Sequence, residues 1–129
     1  MQIIVFNLGA EQYAIDTKYI NGIDKCLKLT EIPNVNSYIK GLANLRGNII
    51  SVFSLKEYLG INNNTPEKNT IIFVKDGEQI GLMVDKVQEV INIDENVIES
   101  VDSPSEYITG VINNNGNIIT LLEGDALLS

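Results

Sequence analysis

Tyr38-Ile39-Lys40-Gly41-Leu42-Ala43-Asn44-Leu45-Arg46-Gly47-Asn48-Ile49-Ile50 returns 69 residues further on as Tyr107-Ile108-Thr109-Gly110-Val111-Ile112-Asn113-Asn114-Asn115-Gly116-Asn117-Ile118-Ile119, with eight identities in thirteen positions. Beyond this window Leu59 meets Leu128. Agreement of this density marks an internal duplication, and the residues common to both copies are those that one shared fold needs. Residues that differ are free to serve function. Arg46, the single arginine of the chain, is one of them, for its counterpart is Asn115.

Outward from this stretch the two copies keep the same plan. Gln2 to Leu8 and Gln12 to Ile15 read as strands around the turn Gly9-Ala10-Glu11, and Thr70 to Lys75 and Gln79 to Val84 as strands around Asp76-Gly77, a favoured type I′ pair. Glu11, Gln12, Ile15, Ile20 and Ile23 then fall opposite Glu78, Gln79, Leu82, Val87 and Val90. A third strand is expected over Tyr19 to Ile23 and over Val87 to Ile91, each followed by a polar connection interrupted by Pro33 or Pro104. The quoted stretch supplies two more: Gly41 to Leu45 and Asn48 to Phe53 around Arg46-Gly47, matched by Gly110 to Asn114 and Asn117 to Leu122 around Asn115-Gly116. Ser54 caps a short helix, Leu55 to Leu59, that Gly60 ends, with Gly124 to Leu128 as its equivalent.

Five short strands per unit predict an all-β protein of two small five-stranded barrels related by duplication, because closure removes unpaired edges. The first unit covers approximately residues 1–66 and the second 67–129, joined through the linker-like Ile61 to Asn69. Whether terminal strands exchange between barrels is left open at this level. The apolar runs Ile3–Phe6 and Ile71–Val74 do not alternate, which predicts strands buried on both faces at the seam between barrels.

Composition narrows the function. With 129 residues, 44% of them hydrophobic, the chain can bury a core without a staple. Lone Cys26 excludes an internal disulfide and reads as a small core residue. No signal peptide and no apolar run of ~18 residues is visible, so a cytoplasmic protein without membrane insertion is expected. A net charge of −8 argues against nucleic acid and against an anionic lipid surface. Residues 1–66 carry six Lys/Arg against five Asp/Glu and residues 67–129 three against twelve, so the halves differ as +1 and −9. Unequal fields of this kind favour hetero-association over self-association and a monomer when alone.

There is no histidine, which removes Ser-His-Asp and Cys-His nucleophiles, a phospho-accepting histidine and most zinc sites. Carboxylates, Lys18 and tyrosine hydroxyls are what remains for catalysis. Asp16-Thr17 in a duplicated β unit has the look of an aspartic protease turn, but Lys18 stands where that turn needs glycine. The acids Asp94, Glu95, Glu99, Asp102 and Glu106 lack calcium-loop spacing and read as a solvated connection. Gly110 and Gly116 read as turn residues, not a phosphate loop. No catalytic residue, cofactor or metal is therefore expected. A carboxylate-based enzyme of duplicated barrel fold is the alternative to a binding module.

Tyr38-Ile39-Lys40-Gly41, Asn44-Leu45-Arg46-Gly47, Asn48 through Leu55, Gly81-Leu82-Met83-Val84-Asp85 and Tyr107-Ile108-Thr109-Gly110-Val111 stand in an order and spacing that resemble the CheW family of bacterial chemotaxis coupling proteins. The resemblance covers essentially the whole chain. It implies two SH3-like barrels, no catalysis, and a scaffold that bridges methyl-accepting chemoreceptor tips to the regulatory domain of a CheA-type histidine kinase. The same adaptor class also serves pilus and other non-flagellar arrays. This chain departs from the family at Ser51 and Ser54, where Pro and Asp are usual, and at Gly22, where an acid is usual.

Ile20 and Ile23 match the family's receptor-contact segment, and the resemblance implies a groove formed by them with Leu42 beside Arg46. Ordinary barrel core is the competing reading of the isoleucines. Turn chemistry alone would prefer Asn at position 46, as in the second copy, so Arg46 reads as a contact residue whose planar fork grips carboxylates or carbonyls, with a solvated surface arginine as the competing reading. Kinase contact is expected at barrel ends, with no side chains assigned.

Overall fold

Ten strands follow the duplicated plan: β1 (Gln2–Leu8), β2 (Glu11–Asp16), β3 (Ile20–Asp24), β4 (Ile39–Leu45), β5 (Asn48–Ser54), β6 (Asn69–Lys75), β7 (Glu78–Val84), β8 (Lys86–Asn92), β9 (Ile108–Asn114) and β10 (Asn117–Leu122). Helix α1 (Leu55–Tyr58) follows β5, and a 3-10 turn at Gly124–Ala126 follows β10. The computed structural model describes residues 1–25, 27–102 and 105–128; Cys26 and Pro104 lie outside the described residues.

The strands form two five-stranded sheets, β3-β6-β7-β5-β4 (barrel I) and β8-β1-β2-β10-β9 (barrel II). Each takes three strands from one copy and a hairpin from the other. A boundary near residue 66 divides the repeat, whereas the chain passes between barrels at residues 16–20 and again at Asp85. Linker residues 61–68 stay on barrel I, joining α1 to β6. The exchanged hairpins enter through parallel pairs, β5 with β7 and β10 with β2.

Burial explains why the hairpin strands are apolar at successive positions. Ile4, Phe6 and Leu8 face a central core shared with Ile71, Phe73, Leu82 and Leu127, while Ile3 and Val5 face the core of barrel II with Ile112, Ile119 and Leu121. Ile72 turns instead into barrel I, against Ala43, Leu45, Ile50 and Val52. Full burial of each such side chain stabilises by about 1.5–3 kcal/mol, so the seam holds a large share of the folding energy. At its rim the repeat mates Tyr38 and Tyr107 flank Tyr58, with ring centroids 5.2 and 5.4 Å away.

The loop leaving each edge strand returns to the opposite edge. Thr30 and Leu42 exchange two backbone hydrogen bonds of 2.8 Å, and so do Glu99 and Val111. This closure accounts for two shared glycines. A Cβ on Gly41 would sit 2.4 Å from the Thr30 carbonyl oxygen, and one on Gly110 would sit 2.5 Å from that of Glu99. Gly110 is therefore a strand residue at a close backbone approach, not the turn residue its sequence context suggests.

Where the chain crosses back to barrel II, buried Lys56 pairs with Asp85 at 3.0 Å. Lys56 Nζ also donates to Asn63 Oδ1 at 2.7 Å and to the Thr65 carbonyl at 2.6 Å. Asp85 in turn accepts from the Gly9 amide of barrel II at 2.7 Å and from the Thr65 hydroxyl. One ion pair thus fastens the linker, the helix and the crossing. Glu67 beside it accepts a 2.8 Å bond from the Ser54 hydroxyl, yet burial, with Glu57 and Asp85 near, raises its carboxyl above the usual range despite the opposing pull of Ser54 and Lys56.

Gly41→Ala and Gly110→Ala should each cost about 1–3 kcal/mol in thermal unfolding, the range for overpacking against an unyielding neighbour. Glu67 binds its proton more tightly when folded, so its contribution to stability is full below the ordinary carboxylate range and is lost as pH rises through the folded value. Glu67→Gln should accordingly melt a few degrees above the parent at neutral pH, with the gap closing in acid; calorimetry across pH checks this.

Candidate partner-docking surfaces

Arg46-Gly47 joins β4 to β5 with φ of 52° and 89°, and Asn115-Gly116 joins β9 to β10 with φ of 54° and 90°. Both are left-handed turns. Each is braced by a shared asparagine: Asn44 Oδ1 accepts from the Gly47 amide at 2.8 Å, and Asn113 Oδ1 from the Gly116 amide at 3.0 Å. Asn tolerates positive φ better than a long side chain does, so Arg46 occupies a position that its backbone disfavours. Its side chain is exposed and forms no hydrogen bond or ion pair among the described residues.

Ile20 and Ile23 lie on β3, the edge strand of barrel I. Ile20 is half-buried and packs on the central core, paired with Phe73, whereas Ile23 is 44% exposed and paired with Ile71. A bulge between Ile20 and Gly22 takes up Asn21, and this brings Ile20 and Ile23 to one face of the sheet although they are three residues apart. Leu42, half-buried, lies on the other edge strand with Arg46 at its tip. The Thr30–Leu42 bridge links the two edges, and none of the four residues lines the clefts at the barrel ends. Ile20 sits largely in the core. In the second copy Val87 packs on the central core and Val90 is 48% exposed, so the fold builds this layout twice; the copies differ at Arg46, where the second has Asn115, at Gly22, where it has Glu89, and at Leu42, where it has Val111.

The other prominent apolar feature is at the barrel ends. Ile49 and Ile118, repeat mates, are 66% and 55% exposed, the highest values among the exposed large hydrophobics. Each sits in a cleft beside a parallel strand pair. That of barrel I measures about 820 Å³ and is lined by Asn48, Ile49, Phe53, Val74, Glu78 and Gln79 among others. That of barrel II, about 430 Å³, includes Asn7, Glu11, Gln12, Asn117, Ile118 and Thr120. Sequence comparison of the copies had marked Ile49 and Ile118 as fold residues because they are shared. The signal that separates them from core was alternation: Ile50, Val52, Ile119 and Leu121 face inward, so Ile49 and Ile118 face out.

The barrels differ in field. Residues 17–85, which supply barrel I, carry eight Lys/Arg against seven Asp/Glu, whereas residues 1–16 and 86–129 carry one against ten, leaving +1 and −9. The contrast between the sequence halves therefore survives the strand exchange. Burial pushes the Tyr13 and Tyr58 hydroxyls up to about 12, keeping them neutral at physiological pH. Among the described residues no group of three His, Cys, Asp or Glu side chains is placed to hold a metal ion, and no helix is long and apolar enough to cross a membrane.

The family model of the CheW-like domain matches residues 2–129. The chain is 29% identical to a chemotaxis protein CheW of Bacillus subtilis, over 98% of this chain and 86% of that one. It is 31% identical to a chemotaxis protein CheW of Helicobacter pylori, over 99% and 81%. Among solved structures, the scaffolding protein TtCheW of Thermoanaerobacter tengcongensis superposes with a TM-score of 0.87 at 34% identity, covering 95% of this chain and 88% of that one.

Arg46→Asn should leave the melting temperature unchanged or raise it, by up to about 0.5 kcal/mol of stability, since it copies the turn of the second repeat. A clear drop measured by calorimetry would make the guanidinium a structural group.

Proposed function

Because this chain belongs to the CheW-like domain family, we propose that it is a non-enzymatic scaffold coupling chemoreceptor cytoplasmic tips to a CheA-type histidine kinase in chemotaxis signalling. It works in the cytoplasm at membrane receptor arrays, without inserting into the bilayer and without binding nucleic acid. The whole chain acts as one domain of two barrels and is monomeric until it meets its partners.

The observation that carries this reading is Arg46: an exposed cation without a partner among the described residues, held at a positive φ that a repeat of the same turn fills with Asn115. A residue kept where the backbone disfavours it is retained for contact. Its planar fork grips carboxylates or carbonyls of a receptor helix. Ile23 and Leu42, with the outer flank of Ile20, supply apolar contact along the two edges of barrel I, in a helix-on-groove mode. The barrel ends, with Ile49 and Ile118, serve the kinase regulatory domain. Their fields of +1 and −9 favour unlike partners over a second copy of the chain.

The test is paired. The chain should co-purify with a CheA-type regulatory domain and with a receptor-tip fragment. Arg46→Glu should abolish receptor capture while kinase capture and melting temperature stay as in the parent. Loss of both captures together with a lowered melting temperature would refute the assignment, as would a tight homodimer at low micromolar concentration.

A further inference from the structure

The two turn tips that the duplication builds alike differ in chemical durability. Asn-Gly occurs twice in the sequence, at Asn21-Gly22 and at Asn115-Gly116. In this dipeptide the glycine nitrogen can attack the preceding side-chain amide, because no Cβ screens its approach, provided the asparagine backbone rotates to bring the nitrogen toward its own Cγ. Gly22 pairs with Ile72 within β3, so the sheet holds its backbone in place. Gly116 instead stands at an exposed two-residue tip between Asn114 and Asn117, and a Cβ added to it would meet nothing within 4 Å. What steadies this tip is Asn113, whose Oδ1 accepts from the Gly116 amide at 3.0 Å. An acceptor there keeps the proton on the nitrogen, and its negative end opposes the amide anion that the attack requires. The first copy has the same brace from Asn44, but with Arg46 before Gly47 it has no side-chain amide to restrain.

We propose that Asn115-Gly116 is a site of spontaneous self-modification and that Asn113 sets its rate. The Gly116 nitrogen gives its proton to solvent and bonds to Asn115 Cγ; the Cγ–Nδ2 bond breaks and ammonia leaves, closing a cyclic imide. Water then opens the ring at Cγ, giving Asp, or at the main-chain carbonyl, giving an isoaspartyl link in which the backbone runs through the side chain. One water is taken up for each ammonia released, and no atom changes oxidation state. Either product adds a carboxylate to the more acidic barrel, next to Gly116, Asn117 and Ile118 in the lining of its cleft. The isoaspartyl link also adds a methylene to a turn whose two-residue length fixes the register of β9 with β10.

The experiment incubates the intact chain in mildly alkaline buffer, folded and in urea, and reads by peptide fragmentation mass spectrometry which asparagine exchanges its NH2 for OH, with Asp and isoaspartyl products separated by chromatography. The parent is compared with Asn113→Ala, Asn113→Asp and Asn115→Arg. Asn115 should convert in the folded parent, more slowly than in urea, and roughly fivefold faster in folded Asn113→Ala, the factor that one ordinary hydrogen bond contributes. Asn113→Asp keeps an acceptor oxygen and should convert no faster than the parent. Asn21 is the internal gauge of unfolding and should stay unconverted wherever the chain is folded. Equal rates at Asn115 in the parent and Asn113→Ala overturn the inference, as does the absence of conversion in both folded chains while the urea sample converts. Acceleration of Asn21 together with Asn115 would make Asn113 a residue of general stability, and a signal persisting at the tip of Asn115→Arg would place the chemistry at a neighbouring asparagine; each of these results also overturns it.

Discussion

The molecule depends on one constraint: the hairpins β1–β2 and β6–β7 each have two faces to bury. One face of each fills its barrel and the other fills the seam, where Ile4, Phe6 and Leu8 meet Ile71, Phe73 and Leu82. A single barrel would leave an apolar sheet face in water. Exchange of the hairpins solves this, because it places both double-sided elements at the centre and leaves the one-sided strands β3, β4, β8 and β9 at the sheet edges. Exposed large apolar residues such as Ile23, Ile49, Val90 and Ile118 are thereby left to edge strands and to strands beside turn tips. The fastening by Lys56 and Asp85 sits at the second crossing, so the linker closes over the junction instead of spanning two free bodies.

Much of this was legible in residue order. The duplication located the strands, and the unbroken apolar runs at Ile3 and Ile71 announced burial on two faces. What could not be read was partner choice among strands. Parallel pairing of β5 with β7 joins residues far apart in sequence, and nothing local in Ser51 to Ser54 or Ile80 to Met83 names the match. Gly110 illustrates a second limit. Its neighbours look like turn chemistry, but its role is set by the Glu99 carbonyl, eleven residues upstream and across the barrel.

Candidate docking residues were legible where the copies disagree and hidden where they agree. Arg46 was found because Asn115 shows what its turn would otherwise contain. Ile49 and Ile118 were masked by identity, since duplication repeats an exposed residue as readily as a core one. Ile20 was mixed. A bulge sets its face, and bulges leave only a faint trace in sequence, here the small Gly22 after Asn21.

Hairpin exchange also orders the birth of the protein. On the ribosome β1 and β2 emerge roughly seventy residues before β8 and roughly a hundred before β10, the strands that flank them in the sheet. Through that interval a hairpin with two greasy faces has no sheet to enter, while barrel I can close once Val84 has cleared the exit tunnel. Nascent chains stalled between these points hold one finished barrel and one waiting hairpin, the form most exposed to chaperones and to entanglement with neighbouring chains.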